Sequence, residues 1–311
     1  MNWNLFLTEL VAGITHGSVY ALIALGYSMV YGILKLLNFA HGDVYMVGAF
    51  LGYGVLTLFG GPTEFSVPVV VLLVSMFVVA MVGGGLLGVG IERFAYRRLR
   101  NAPRIAPLIT ALGVAFFLEN SALLLVGAQY QSYDSYSWNG GSLWGRGFTL
   151  PAGVHVGIAQ IIVVVGTVVL MVALTLFVRR ARLGKAMRAT SFDREAAAMM
   201  GIDVDRVIVA TFFIGSALAG AAGIFNGLAY QQVWPYMGFQ AGLFAFTAAV
   251  VGGIGSLPGA VLGGLVIGLA ESFATGYISS TFQQAIVFAL LIAVMLARPS
   301  GLLGRAAVQK V

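Results

Sequence analysis

Long apolar segments separated by short polar ones make up most of this sequence. Eight segments are candidates for membrane-spanning helices, which need about 20 mostly apolar residues: 5–34, 40–59, 67–91, 106–127, 157–178, 207–230, 239–273 and 282–297. The long run contains GGIGSLPG from Gly252 to Gly259, which cannot continue a regular helix, so two segments are expected there. The pattern predicts an all-α fold: one domain over residues 1–311, a polytopic transmembrane helix bundle of about eight or nine spans with discontinuous helices.

Composition supports a membrane protein and excludes several other classes. Of the 311 residues 59% are hydrophobic and only 9% are charged, so lipid must be the solvent for most of the chain. Cysteine is absent, and the three histidines are too scattered for a metal cluster. The dinucleotide-like pattern at Gly83–Gly88 lies inside an apolar segment with no preceding strand. We therefore predict no catalytic site and no metal site, and we do not expect an enzyme.

The basic residues lie in three polar segments: 92–104, 179–206 and the tail from Arg298. Together these hold all but two of the 17 Lys and Arg residues, so they are predicted to be cytoplasmic loops. The net charge of +6 therefore does not indicate nucleic-acid binding. The segment 128–156, rich in Tyr, Trp, Ser and Gly, is predicted to be an external loop whose aromatic residues form an interfacial belt or a docking face. The side of the N-terminus stays open, because a break near His16 would reverse it.

The segment 179–206 contains a short helix with signals at both ends. Thr190 and Ser191 are N-cap candidates, Asp193 and Glu195 place negative charge in the first turn, and Gly201 is the expected stop. A helix of about two turns is marginal alone in water and needs a surface to pack against. Two interpretations remain at this point: the helix rests on its own loop, or a soluble partner receives it.

Two interruptions of the apolar pattern share one plan: an apolar helix, a polar or glycine-rich break, then a helix of small residues. Repeated discontinuous helices are typical of transporters, where half-helix ends face the substrate. The alternative is ordinary tight turns between spans. Placing ionisable side chains at membrane depth costs free energy, so their presence at the first break favours a functional role there. The residues predicted to line a translocation path are Asn38, Phe39, His41, Asp43, Gly252, Gly253, Gly255 and Ser256. Glu271, near a predicted outer end, is interpreted as hydrated.

Three long stretches resemble one known family. They are HGSVYALIALGYSMVYGILKLLNFAHGDVYMVGAF, RATSFDREAAAMMGIDVDRV and FTAAVVGGIGSLPGAVLGGLVIGLAES. In these stretches the sequence is similar to the LivH-type permeases of bacterial branched-chain amino-acid ABC importers, and the similarity runs from about residue 5 to the tail. It implies a multi-pass subunit of the inner membrane that moves leucine, isoleucine or valine by alternating access. It also implies that the chain binds no cofactor and that ATP-Mg binds to partner subunits.

The resemblance also implies partners and a role for the short helix. The partners would be a homologous LivM-type permease subunit, two cytoplasmic ATPase subunits and a periplasmic substrate-binding protein, within membrane lipid and without nucleic acid. The short helix would be the cytoplasmic coupling helix that engages an ATPase subunit, through Arg188, Asp193, Arg194, Glu195, Ala196, Ala197 and Gly201. Two alternatives remain: an ABC permease for another small polar solute, or an ATP-independent secondary transporter or channel.

Overall fold

The fold is given by a computed structural model, which describes residues 3–59, 68–100, 102–103, 105–133, 147–149 and 153–304. Within these residues the helices are α1 (Trp3–Leu34), α2 (His41–Phe59), α3 (Val69–Ile91), α4 (Ile105–Val126), α5 (Ile158–Arg180), α6 (Arg182–Phe192), α7 (Arg194–Met199), α8 (Val204–Tyr230), α9 (Met237–Gly252), α10 (Leu257–Tyr277) and α11 (Gln283–Ala297). A π-helical turn (Glu92–Tyr96) and a 3-10 turn (Arg97–Leu99) extend α3, and another 3-10 turn (Ser280–Phe282) precedes α11.

Four short strands lie between the helices: β1 (Gln131–Ser132), β2 (Gly147–Thr149), β3 (His155–Gly157) and β4 (Gln232–Val233). β1 pairs with β4 and β2 pairs with β3, both antiparallel. Part of the predicted external loop is thus tied to the chain after α8. Residues 134–146 and 150–152 of that loop, including part of its aromatic stretch, lie outside the described residues.

The predicted helix bundle is confirmed. Among the described residues, eight helices are long and apolar enough to span a membrane, and α9 is a shorter apolar helix. The long apolar run is divided into α9 and α10 at the predicted glycine-rich break. α1 is continuous through His16, so the break that would have reversed the N-terminal side does not occur.

The three basic segments meet at one end of the bundle, which we call the basic end. Asp205, in the first turn of α8, accepts hydrogen bonds from Arg97 and Arg100 after α3. The tail reaches the end of α9, where the N–H of Leu302 donates to the Val251 carbonyl at 2.8 Å. The end of α8 that leads to β4 is about 40 Å away along a helix of 27 residues. The β1–β4 pair therefore marks the opposite end.

Small residues allow the central helices to pack closely. Gly17 of α1 lies so near α10 that a Cβ atom there would be 2.8 Å from Leu265 Cα. Gly84 of α3 would likewise place a Cβ 2.9 Å from the Ser216 carbonyl oxygen of α8. Small residues at helix contacts allow backbones to approach closely in membrane bundles, and these contacts follow that rule. The outer helices instead expose large apolar side chains such as Leu124, Leu125 and Leu296, as expected of surfaces that face lipid.

Candidate coupling surface and intramembrane break

The short helix of the basic segment is α7, and it begins at Asp193. The backbone of Asp193 is extended (φ −153°, ψ 117°), and its Oδ1 accepts a hydrogen bond of 3.0 Å from the Ala196 N–H. The prediction that Thr190 or Ser191 caps this helix was wrong. Both belong to the last turn of α6, where their hydroxyls donate to the carbonyls of Ala186 and Arg188. A hydroxyl satisfied inside a helix in this way does not interrupt it.

Gly201 ends α7 as predicted. Its φ of +82° is a conformation that glycine adopts without steric cost. The Gly201 N–H donates to the Ala198 carbonyl at 3.0 Å, and the Ile202 N–H donates to the Ala197 carbonyl at 3.1 Å. This pair of bonds is the Schellman arrangement, which satisfies carbonyls left free at a helix end. A helix of only six residues is therefore closed at both ends by its own sequence.

The surface around α7 exposes three large apolar side chains. Phe192 is 91% exposed, Met199 81% and Met200 83%. Glu195 and Ala196 are also exposed, whereas Ala197 is buried against the rest of the chain. Large exposed apolar groups are unusual on a surface that faces water, which makes this surface a candidate contact site for another molecule. We call Phe192, Glu195, Ala196, Met199 and Met200 the coupling surface.

Arginine side chains attach this surface to the spans. Arg194 donates to the Ile33 carbonyl, in the last turn of α1, from Nε at 2.8 Å and also from Nη2. Arg188 donates to the Val178 carbonyl of α5. Burial, with Arg100 nearby, lowers the pKa of Arg194 below its usual value. These bonds supply partners for carbonyls near helix C-termini, where a cation is also favoured by the helix dipole.

The first break enters the interior of the bundle. Residues 35–40 are not helical, and α2 begins at His41, whose ring packs against Gly26 and lies 4.9 Å from the Tyr27 ring. Gly26 lies eight residues before the end of α1, which corresponds to about 12 Å along the helix. α2 therefore starts at depth within the bundle, and the predicted discontinuous helix is present.

Several polar atoms at this break have no good hydrogen-bond partner among the described residues: both His41 nitrogens, Asp43 Oδ1 and Asn38 Nδ2. The backbone of Ile23 lies near the His41 ring. His41 and Asp43 are each 1% exposed. Buried polar groups are normally satisfied, and ionisable ones at membrane depth are costly. Their presence favours a functional role over a simple turn.

The second break lies at the basic end. Gly253 and Gly255 have positive φ values, and Ser256 caps α10 by accepting a hydrogen bond of 3.2 Å from the Gly259 N–H. Gly252 accepts a hydrogen bond from the Leu303 N–H at 2.9 Å. The tail thus packs directly on this break.

The predicted path residues of the first break lie inside the bundle, whereas those of the second break lie at the basic end. The Phe39 ring of the first break lies 5.9 Å from the ring of Phe246, six residues before Gly252 on α9. α9 therefore connects the two groups of residues. Glu271 corrects a different expectation: it is only 6% exposed, so it is not the hydrated side chain that its position near a helix end indicated.

The sequence matches the family model described as branched-chain amino acid transport system / permease component, over residues 9–295. The chain belongs to this permease family. It is 43% identical over 309 residues to the high-affinity branched-chain amino acid transport system permease protein LivH of Escherichia coli (strain K12), covering 98% of each chain. It is 42% identical over 306 residues to the corresponding protein BraD of Pseudomonas aeruginosa, again covering 98% of each chain.

A more distant relative of this permease is named for a different solute. The D-allose transport system permease protein AlsC of Escherichia coli (strain K12) is 28% identical over 229 residues, which are 70% of this chain and 65% of the relative. No solved structure matches the chain significantly. The resemblance inferred from the three sequence stretches is confirmed at the level of the family.

Proposed function

We propose that this permease is one membrane subunit of an ATP-driven importer that moves leucine, isoleucine or valine across the inner membrane. Its membership of the permease family and the names of its relatives in Escherichia coli and Pseudomonas aeruginosa support this substrate class. The basic end would face the cytoplasm, in agreement with the positive-inside rule. A homologous LivM-type subunit, two ATPase subunits and a periplasmic binding protein would complete the transporter.

The observation that carries the proposal is the structure of α7. It is closed by Asp193 at one end and by Gly201 at the other, and beside it Phe192, Met199 and Met200 are almost fully exposed. A rigid, short helix with an unpartnered apolar surface fits a cleft on another protein. In the proposed complex an ATPase subunit provides that cleft. ATP-Mg binds to the ATPase subunits, and this chain contributes no cofactor site.

The hydrogen bonds of Arg194 define how movement of α7 would reach the spans. A displacement of α7 pulls on the Ile33 carbonyl, at the end of α1. α1 leads directly into the first break, which holds Asn38, His41 and Asp43 inside the bundle. In this proposal, closure of the ATPase pair shifts α1 relative to α2 and α9, and access to the path passes from one side to the other.

The second candidate is an ABC permease for another small polar solute. The relative named as a D-allose permease supports it. At the first break the buried groups are an amide, an imidazole and a carboxylate, which can hydrogen-bond a sugar as well as an amino acid. The same coupling mechanism applies to both candidates, and only the solute delivered from outside differs.

The test of coupling compares two prolines placed at glycines of similar backbone conformation. Gly201 (φ +82°) ends α7, and Gly127 (φ +86°) follows α4 at the opposite end. Proline cannot adopt a positive φ, so each substitution disrupts one helix end. We expect Gly201→Pro to abolish uptake and to weaken binding of the ATPase subunits, with normal membrane insertion, whereas Gly127→Pro retains both. Glu195→Lys should act like Gly201→Pro. Equal uptake by all variants would disprove the coupling role of α7.

A further inference from the structure

Glu271 is a buried carboxylate without a cationic partner among the lysines and arginines of the described residues. It lies on α10, two turns from the end at Tyr277, and its side chain is 8% exposed. Its Oε1 accepts a hydrogen bond of 2.8 Å from the Gln283 Nε2 of α11. Its Oε2 has no hydrogen-bond partner in the same part of the chain. A carboxylate buried inside a membrane bundle is costly, so its negative charge calls for a positive group.

The free oxygen of Glu271 faces a free nitrogen. His16 Nδ1 lies 3.8 Å from Glu271 Oε2, and this nitrogen also has no hydrogen-bond partner among the described residues. The separation is longer than a hydrogen bond between the two atoms. A donor nitrogen placed at about 2.9 Å from each atom can bridge them. The His16 side chain as a whole is 24% exposed, whereas the two facing atoms are themselves buried, so an ammonium group reaches them only when the surrounding helices move apart.

Aromatic residues surround the same position. The His16 ring lies 4.7 Å from the Tyr230 ring, and the Tyr20 and Tyr230 side chains lie beside the Glu271 carboxylate. An aromatic ring attracts an ammonium group that lies over its face, because the ring quadrupole is negative there. Tyr230 ends α8, just before β4, so the group lies toward the end opposite the basic end.

We propose that Glu271 and His16 bind the ammonium group of the transported amino acid on its way into the path. Oε2 of Glu271 and Nδ1 of His16 accept its N–H groups, and the tyrosine rings exclude water from the contact. Gln283 orients the carboxylate through its other oxygen. This assignment rests on the proposed amino-acid transport, and it names a position that recognises the ammonium group rather than the aliphatic side chain.

The test measures equilibrium binding of radiolabelled isoamylamine, an ammonium with leucine's branched chain but no carboxylate, to the assembled transporter in nanodiscs without binding protein. We expect saturable binding that leucine displaces and that 4-methylpentanoate, which lacks the ammonium, does not. Glu271→Gln should weaken binding at least about tenfold, as expected when a charged hydrogen bond is lost. Glu9→Gln is the matched control, because Glu9 is a carboxylate on the same side that accepts a hydrogen bond from Ser272, and it should bind as the wild type does.

A second variant distinguishes loss of binding from loss of folding. His16→Phe keeps a ring next to Tyr230 but removes the nitrogen acceptor, and it should weaken isoamylamine binding while the four subunits copurify normally. Three results would overturn the proposal: no saturable binding by the wild type, unchanged affinity in Glu271→Gln, or equal displacement by sodium ions, which would indicate a metal-cation site. If leucine-loaded binding protein still stimulates ATP hydrolysis by the wild type in any of these cases, only this site is refuted and the transport function stands.

Discussion

The bond between Arg194 and the end of α1 is the part of the proposed coupling pathway that a single substitution can remove. Arg194→Gln deletes the guanidinium that donates to the Ile33 carbonyl from two nitrogens. A hydrogen bond from a charged group contributes about 1.5–3 kcal/mol. Arg194 is only partly buried, so solvent screening reduces this to about 1–2 kcal/mol. That energy corresponds to about a 5- to 30-fold shift from the attached toward the detached arrangement of α7.

The assay compares leucine uptake with ATP hydrolysis in reconstituted vesicles. Arg194→Gln should lower the uptake obtained per ATP hydrolysed, while the amount of assembled transporter stays constant. Arg194→Lys should give an uptake per ATP hydrolysed between those of the wild type and Arg194→Gln, since lysine offers a point charge instead of two fixed donors. Arg206→Gln is the control, because its side chain is 87% exposed and pairs only with the exposed Asp203 within the described residues. If Arg194→Gln and Arg206→Gln give the same uptake per ATP hydrolysed, transmission of movement through Ile33 is refuted.

Three further predictions concern the packing that supports the site. Gly220→Ala places a Cβ against the α3 backbone and should cost about 1–3 kcal/mol of stability, which lowers the melting temperature in detergent. Gly113→Ala is the control and should leave the melting temperature unchanged, because a Cβ there meets nothing within 4 Å among the described residues. Tyr133→Phe removes the 2.6 Å hydrogen bond to the Ala49 carbonyl, about 1 kcal/mol, and should speed proteolysis between residues 127 and 157. Asp193→Ala removes the α7 cap, about 1 kcal/mol, and should weaken ATPase binding in pull-downs; Asp193→Asn should retain it.

Much of the fold was predictable because it depends on local sequence. Run length and hydropathy identify the spans, and the glycines and proline of GGIGSLPG identify the division between α9 and α10. Gly201 was recognisable because only glycine adopts its backbone conformation readily. The chain's similarity to its family implied the proposed coupling role, which the residues of α7 alone left undecided.

The rest depends on contacts between distant residues. The cap of α7 was misplaced because Thr190 and Ser191 can satisfy their hydroxyls inside α6, and the sequence does not show which choice the backbone takes. The burial of Glu271 was not predictable because it depends partly on α1, which is remote in sequence, as the 3.8 Å approach of His16 shows. The Arg194–Ile33 bond joins residues 161 positions apart, and no local pattern indicates it.

The central claim is that this permease works as part of an ATP-driven amino-acid importer, and one measurement tests it most directly. The tagged chain is coexpressed with its genomic neighbours, purified from membranes and assayed for ATP hydrolysis with leucine-loaded and leucine-free periplasmic binding protein. We expect ATPase subunits to copurify and the loaded binding protein to stimulate hydrolysis. Copurification without stimulation by leucine would exclude the substrate. Purification without any ATPase subunit would contradict the account itself.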